Sequence, residues 1–138
     1  MNTIIIFDLD DTLVNSKMKI PRQTYHMLNK FKKLNYSIGI ITYNCMVNLI
    51  AKETNLYKYT NHIFYENTNR DFLFEKCVNQ LIKDHKIMNI TNIHNIDKIY
   101  YIDDRLDNIQ VIKEKYNNVI TYHCYDIYKL YKLKYLII

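Results

Sequence analysis

Short apolar runs rich in β-branched residues alternate along this chain with longer amphipathic stretches. The short runs show little alternation between apolar and polar positions, which is typical of strands buried on both faces. Strands of this kind are predicted at residues 3–7, 36–42, 62–65, 98–102 and 119–122. A sheet with almost wholly apolar strands is therefore expected at the centre of the fold.

The stretches between these runs repeat apolar residues at intervals of three and four, the spacing of one helix face. Pro21 suits the first turn of the first helix, which runs to residue 33 or 34, and Asn44 can cap the second helix. Helices are predicted at residues 21–34, 44–52, 70–86, 106–116 and 127–136. The polar, irregular stretch 89–97 predicts a surface loop.

This alternation of strands and helices indicates an α/β fold, a three-layer sandwich in which helices cover both faces of a mainly parallel sheet. The 138 residues suffice for one domain with a real core, so a single domain over residues 1–138 is expected. Ligands of such sheets bind beyond the carboxyl ends of the strands. Residues at those ends are therefore the first candidates for a functional site.

Polar residues do follow the predicted strands at their carboxyl ends. Asp8 and Asp10 follow the first strand, Thr42 ends the second, and Asp103 and Asp104 follow the fourth. Crowded carboxylates repel one another unless a cation compensates them, and hard oxygen ligands suit Mg²⁺. The pattern predicts a divalent metal beside a carboxylate nucleophile, and hence phosphoryl transfer.

Each of these features also has a plainer interpretation when it is taken alone. Asp103 and Asp104 could simply cap the helix that follows them, and Thr42 could be an ordinary sheet residue. Their joint occurrence at one edge of the sheet is what favours a functional site.

The amino-acid composition limits how the chain could bind a phosphate group. Gly39 is the single glycine, which excludes glycine-rich phosphate loops, so any phosphate must be held by metal, side chains and helix N-termini. The net charge of +5 favours anionic partners. An AT-rich coding sequence that enriches lysine explains the same charge equally well.

The chain shows no feature of a membrane protein. Its apolar runs fall well short of the roughly 20 residues of a membrane span, and its first residues lack the basic region of a signal peptide. Cys45, Cys77 and Cys124 form no CxxC pair, which favours reduced thiols. We therefore expect a cytoplasmic protein, located in a host cytoplasm if its composition is that of a virus.

Motifs in chain order over nearly the whole sequence resemble those of the haloacid dehalogenase (HAD) superfamily of phosphohydrolases. Asp8, Asp10 and Thr12 form the DxDxT pattern of its first motif after an apolar strand. Thr42, at the end of IGIIT, corresponds to the second motif. The acid pair in YYIDD corresponds to the fourth motif. The resemblance implies a Rossmann-like, HAD-like fold.

The resemblance also implies roles for these residues. Asp8 would be the nucleophile and a Mg²⁺ ligand, and Asp10 the general acid and base that also lends its backbone carbonyl to the metal. Asp104 would be a direct metal ligand, and Asp103 a direct or water-mediated one. Thr42 would hydrogen-bond a phosphoryl oxygen.

The third motif requires a cation near the start of the helix before the fourth motif. Arg70 is the favoured candidate because it opens the predicted helix, and Lys76, nearly two turns further along, is the alternative. Thr12, Asn44 and Lys76 are the predicted substrate-binding residues.

Neither residues 14–20 nor residues 43–61 are long enough to form the cap domain that many relatives carry. A capless, open site resembles the small magnesium-dependent phosphatases and suits a phosphoprotein or a nucleic-acid end. Residues 14–20 form only a short flap. The basic residues in or beside this flap could contact a polyanion, and they are Lys17, Lys19 and Arg22.

Two alternatives remain open on the sequence. The chain could be a HAD-fold binding module for nucleic acid or protein that has weak turnover or none. The apolar and basic C-terminal segment LYKLKYLII could close the core or form a homodimer contact.

Overall fold

The structure, a computed structural model, describes residues 3–84 and 98–137, and these form a five-stranded sheet at the centre of the fold. The strand order is β3-β2-β1-β4-β5, and every neighbouring pair is parallel. The strands are β1 (Thr3–Asp8), β2 (Ser37–Thr42), β3 (Ile63–Tyr65), β4 (Lys98–Asp103) and β5 (Val119–His123). The predicted α/β class with a parallel central sheet is confirmed.

Helices cover both faces of this sheet. They are α1 (Arg22–Lys33), α2 (Val47–Glu53), α3 (Arg70–Asp84), α4 (Leu106–Lys115) and α5 (Leu133–Leu136), with 3₁₀ helices at Leu56–Lys58 and Ile127–Lys132. Side chains of α1, α2 and the C-terminal helices share one hydrophobic core with the sheet, and those of α3 and α4 share the other. The result is a three-layer sandwich, and no cap domain is evident in the described residues.

The apolar strand pattern follows from these two cores. Ile5 and Phe7 of β1 point into the core beneath α1, whereas Ile4 and Ile6 point into the core beneath α3. All four side chains are fully buried. Because successive side chains of a strand alternate between faces, the central positions of a strand covered on both sides are apolar, and polar residues occur at its ends.

Gly39 in β2 has a packing role that brings α3 close to the sheet. A Cβ atom at this position would lie 2.5 Å from Cys77 Sγ and 2.8 Å from Ile6 Cδ1, which is closer than real Cβ atoms approach other heavy atoms. The absence of a side chain therefore lets α3 lie against β2. Arg70 is the first residue of this closely packed helix.

Two predicted helix starts need correction. Pro21 lies in the position just before α1, with φ −56° and ψ 141°, so the first helical residue is Arg22. Asn44 is not the N-cap of α2, because that helix begins at Val47 with Met46 in the cap position. The Asn44 side chain instead accepts a hydrogen bond from the Met46 backbone N–H at 2.9 Å. Asn44 thus orders the turn before the helix.

The C-terminal segment also differs from the prediction of one helix over residues 127–136. It is mostly 3₁₀ helix and becomes α-helical only in α5. A spacing of three suits a 3₁₀ helix, whose residues i and i+3 lie on one side, and Leu130 and Leu133 are buried at that spacing. These residues and Ile137 join the core, so the segment closes one face of the sandwich.

Other predicted features concern residues outside the described ranges. The predicted loop at 89–97 and the last two residues of the helix predicted over 70–86 lie there. Within the described ranges, no helix combines the length and the apolar character needed to cross a bilayer.

Candidate active site

Three carboxylates meet at the carboxyl edge of the sheet. Asp8 ends β1, Asp103 ends the neighbouring strand β4, and Asp104 follows it. Each offers a carboxylate oxygen, and these oxygens lie within 4.8 Å of one another. Asp8 and Asp103 are buried, whereas Asp104 is partly exposed. This spacing is compatible with shared coordination of one small cation.

Asp103 is the most heavily hydrogen-bonded member of this acidic cluster. Its Oδ2 accepts hydrogen bonds from the Tyr101 hydroxyl and from Asn108 Nδ2 at 3.0 Å, and it lies 3.3 Å from Arg70 Nη2. Its Oδ1 accepts from the Arg105 backbone N–H at 2.9 Å. Asp103 is therefore a buried side chain that its neighbours hold in one orientation. Neither Asp103 nor Asp104 is the N-cap of α4, which is Arg105, so the interpretation of the acid pair as a simple helix cap is wrong.

Thr12 bridges the other two carboxylates of the cluster. Its Oγ1 lies 3.3 Å from Asp8 Oδ2 and 3.5 Å from Asp104 Oδ1. The loop after β1 curls back to bring it there, with Asp11 in the left-handed region at φ 60° and the Thr12 N–H donating to Leu9 O. The sequence predicted a substrate contact for Thr12. The structure places its hydroxyl on the carboxylates, where it can orient them.

Arg70 supplies positive charge to the cluster from the first position of α3. Its Nη2 lies 2.6 Å from Asp8 Oδ1, and its guanidinium carbon lies 4.6 Å from the centre of the Tyr43 ring. The side chain is buried, yet its Nε and Nη1 have no hydrogen-bond partner among the described residues. Buried donors without partners carry a desolvation cost, and a bound anion would satisfy them. The guanidinium that pairs with Asp8 therefore has two further buried donors that a bound anion could satisfy.

The charges in this cluster do not balance. Three carboxylates face one guanidinium, and burial together with the neighbouring Asp103 raises the pKa of Asp8 to about 8, although Arg70 opposes this rise. Burial also raises the pKa of Asp104. The cluster therefore holds a proton near neutral pH unless further positive charge is supplied. Carboxylate oxygens are hard ligands, so a hard divalent cation could supply the missing charge.

Asn44 connects the loops that follow β1 and β2. Its Nδ2 lies 3.1 and 3.2 Å from the two carboxylate oxygens of Asp10, and its backbone N–H donates to Thr42 Oγ1 at 2.9 Å. Asp10 is exposed, and its carboxylate does not belong to the acidic cluster. The Asn44 amide holds that carboxylate in one orientation, and the buried Thr42 hydroxyl keeps its own proton to donate.

The contacts of Arg70 and Lys76 show which of these two candidates for the third-motif cation lies at the acidic cluster. Lys76 Nζ lies 3.1 Å from Glu66 Oε2, and about half of each side chain is exposed. The structure therefore brings Arg70 to the acidic cluster and pairs Lys76 with a different acid. A substrate contact by Lys76 gains no support from this geometry.

Three side chains that touch the site were not singled out from the sequence. Tyr101 lies two positions before Asp103 on the same face of β4, and that spacing could have identified it. Tyr43 directly follows Thr42, but nothing in the sequence indicates that its ring lies against Arg70. His123 Nε2 lies 2.8 Å from the Asp104 backbone oxygen, a contact that depends on β5 lying beside β4.

No protein-family model matches this chain, and a search of curated proteins found no matching sequence. The resemblance to the HAD superfamily therefore rests on the motif residues and their arrangement.

The raised pKa of Asp8 leads to a prediction for the metal-free protein. Folded Asp8 titrates at about 8 against an ordinary value of 3.8, so between these values the folded state holds the extra proton. The free energy of unfolding should then fall with rising pH, by up to about 1.4 kcal/mol per pH unit. Melting temperatures in EDTA should decrease from about pH 5 to about pH 8.

Mg²⁺ competes with this proton, so it should raise the melting temperature more at the alkaline end of the same range. Asp8→Asn should lose most of the pH slope and most of the Mg²⁺ effect. Asp11→Asn, the same chemical change at an exposed neighbour, should keep both. An equal Mg²⁺ effect in wild type and Asp8→Asn would contradict the assignment of the metal to this cluster.

Proposed function

We propose that this chain is a magnesium-dependent phosphatase that cleaves phosphate monoesters through an aspartyl-phosphate on Asp8. The observation that carries the proposal is the pairing of a buried carboxylate with a buried guanidinium whose Nε and Nη1 lack partners among the described residues. A carboxylate nucleophile needs an anion held in front of it, and we assign this binding to the donors of Arg70 that have no partner. The HAD-like motifs support the same chemistry.

The residues of the chain divide the proposed reaction between them. A carboxylate oxygen of Asp8 attacks phosphorus, and the bond from phosphorus to the ester oxygen breaks. Asp10, held by Asn44, gives its proton to the departing oxygen. In the second half, Asp10 takes a proton from water, which attacks phosphorus and releases Asp8 and inorganic phosphate. Asp10 is thus restored to its protonated form.

Two further groups act on the phosphoryl oxygens. The free donors of Arg70 would bind them and stabilise the negative charge of the transition state, and the Thr42 hydroxyl would donate one more hydrogen bond. Asp8, Asp103 and Asp104, with the Asp10 backbone carbonyl that the resemblance implies, would hold Mg²⁺. The bound ion would offset the charge of the carboxylates and of the phosphoryl group together.

The surroundings of the site favour a substrate whose phosphate is attached to something large. The flap between β1 and α1 is short, with a tight turn in which the Asn15 side chain accepts from the Lys17 and Lys19 backbone N–H groups. A phosphoprotein or a nucleic-acid end could reach such a site without an enclosing cap. The free thiols of Cys77 and Cys124 are buried, which agrees with a cytoplasmic location.

The proposal is tested by phosphate release from an aryl phosphate, measured with Mg²⁺ and with EDTA. We expect turnover with Mg²⁺ only. Acid quenching during turnover should trap phosphate on the protein, and hydroxylamine should release it because an acyl phosphate is cleaved by this nucleophile. If Mg²⁺ raises the melting temperature but no member of a panel of phosphomonoesters is hydrolysed, the chain is a binding module instead.

A further inference from the structure

We propose that the C-terminal surface of this chain binds single-stranded nucleic acid and presents its phosphorylated end to the candidate active site. This inference rests on the proposed function and names the substrate class. The surface, called here the tyrosine–lysine surface, consists of Arg22, Tyr125, Tyr128, Lys129 and Lys132.

The tyrosine–lysine surface starts directly beside the acidic cluster. His123 Nε2 contacts the backbone oxygen of Asp104 at 2.8 Å, and the His123 ring packs edge-on against Tyr125 with 5.8 Å between the ring centres. One aromatic ring therefore separates Tyr125 from a candidate metal ligand. A nucleotide stacked on Tyr125 would have its neighbour's phosphate close to the site.

The tyrosines of this surface have their ring faces available. Tyr125 is 83% exposed and Tyr128 is 62% exposed. Exposed tyrosines at this level contribute little to the core, but their faces can stack on bases, an interaction that tolerates any base sequence. Two such exposed rings favour a single strand, because the faces of bases inside a duplex are covered by the bases stacked above and below them.

Two lysines of this surface line both of the clefts that the surface contains. A cleft of about 300 Å³ contains His123 and Tyr125, and a second of about 530 Å³ contains Arg22 and Tyr128. Lys129 and Lys132 line both clefts. Asp126 lines both as well, but its carboxylate accepts the Tyr128 backbone N–H at 3.0 Å and so has a structural role.

The cations of this surface have no ion-pair partner among the described residues, and the acid that lines both clefts with them is Asp126. Arg22, Lys129 and Lys132 are exposed and form no ion pair within residues 3–84 and 98–137. Among the described residues, exposed lysines without an ion pair also occur on the opposite face of the sheet, at Lys83 and Lys113. What distinguishes the tyrosine–lysine surface is that its cations line clefts together with exposed tyrosines, and a polyanion with stacking bases would use both.

Binding is measured with wild-type protein and a fluorescent single-stranded oligonucleotide that carries no terminal phosphate, so that hydrolysis plays no part. Fluorescence anisotropy should show that Tyr125→Ala and Tyr128→Ala each weaken affinity by about tenfold, while Tyr125→Phe and Tyr128→Phe keep it. The Lys129→Ala/Lys132→Ala variant should lower the slope of log affinity against log salt by about 1.4.

The matched control for charge is Lys83→Ala/Lys113→Ala, which removes two exposed lysines from α3 and α4 on the opposite face of the sheet. Its salt slope and affinity should equal those of wild type. The inference is overturned if this control weakens binding as much as Lys129→Ala/Lys132→Ala, or if the alanine and phenylalanine variants behave alike.

The second part of the test measures turnover of phosphorylated substrates. With 3′- or 5′-phosphorylated oligonucleotides, Tyr125→Ala should lower kcat/KM by about tenfold, while kcat/KM for an aryl phosphate stays at the wild-type value. A phosphopeptide hydrolysed faster than every oligonucleotide overturns the inference and leaves the proposed function standing. Oligonucleotide binding without hydrolysis of any phosphomonoester overturns the proposed function and the delivery step, and leaves the binding surface standing.

Discussion

Asp8→Asn should lower kcat for an aryl phosphate by at least about a thousandfold, because an amide oxygen cannot take the place of the carboxylate as a nucleophile. The change also removes one negative ligand from the acidic cluster, so the Mg²⁺ dependence of any remaining rate should weaken. Phosphate release at saturating substrate and the amount of acid-stable protein-bound phosphate measure both effects. No trapped phosphate is expected from the variant.

The variant should stay folded, which separates loss of chemistry from loss of structure. Asparagine keeps the shape of Asp8 and removes a charge from a cluster in which carboxylates repel one another, so the melting temperature in EDTA should not fall. Asp11→Asn is the control, since Asp11 is exposed at φ 60° and asparagine tolerates this conformation. Activity of Asp8→Asn within tenfold of wild type would rule out the nucleophile assignment.

The edge of the sheet is what the sequence predicts best. Apolar runs end sharply, and in parallel strands the carboxyl ends lie at one edge, so the residues that follow them share that edge, and those on neighbouring strands lie close together. The sequence alone therefore predicts that Asp8 and Asp103 lie at the same edge of the sheet. Thr42 could be assigned to the same edge for the same reason.

The side-chain contacts at that edge of the sheet could not be predicted from the sequence. Whether Arg70 or Lys76 reaches the carboxylates depends on the height and rotation of α3, and these are set by its packing on Gly39. The bridge from Asn44 to Asp10 joins two loops that are distant in the sequence. Periodicity assigns elements, but it contains no information on such loop-to-loop contacts.

The C-terminal segment illustrates a different limit. Apolar residues at three-residue spacing fit an α-helix and a 3₁₀ helix almost equally well over so short a stretch. The hydrogen bond of the Asp126 side chain to the Tyr128 N–H starts the tighter helix. Tyr125 and Tyr128 are exposed beside this hydrogen bond, and that exposure cannot be inferred from a sequence in which tyrosine is abundant.

Arg70→Met should affect both turnover and stability. Loss of the donors that face the phosphoryl group should lower kcat by about a hundredfold to a thousandfold. The variant also leaves buried Asp8 and Asp103 without their cation, which should lower the free energy of unfolding in EDTA by about 3 kcal/mol near pH 8. The loss should be smaller near pH 5, because the carboxylates can then hold protons instead.

Two further variants decide which cation serves the third motif. Arg70→Lys should recover part of the stability, since an ammonium group can neutralise Asp8, but little of the turnover, since it lacks the planar fork of donors. Lys76→Met should leave kcat and stability unchanged, because Lys76 is partly exposed and paired with Glu66. A large fall in kcat for Lys76→Met, with near wild-type turnover for Arg70→Met, would transfer the phosphate-binding role to Lys76. In that case the buried guanidinium would serve only to neutralise the acidic cluster.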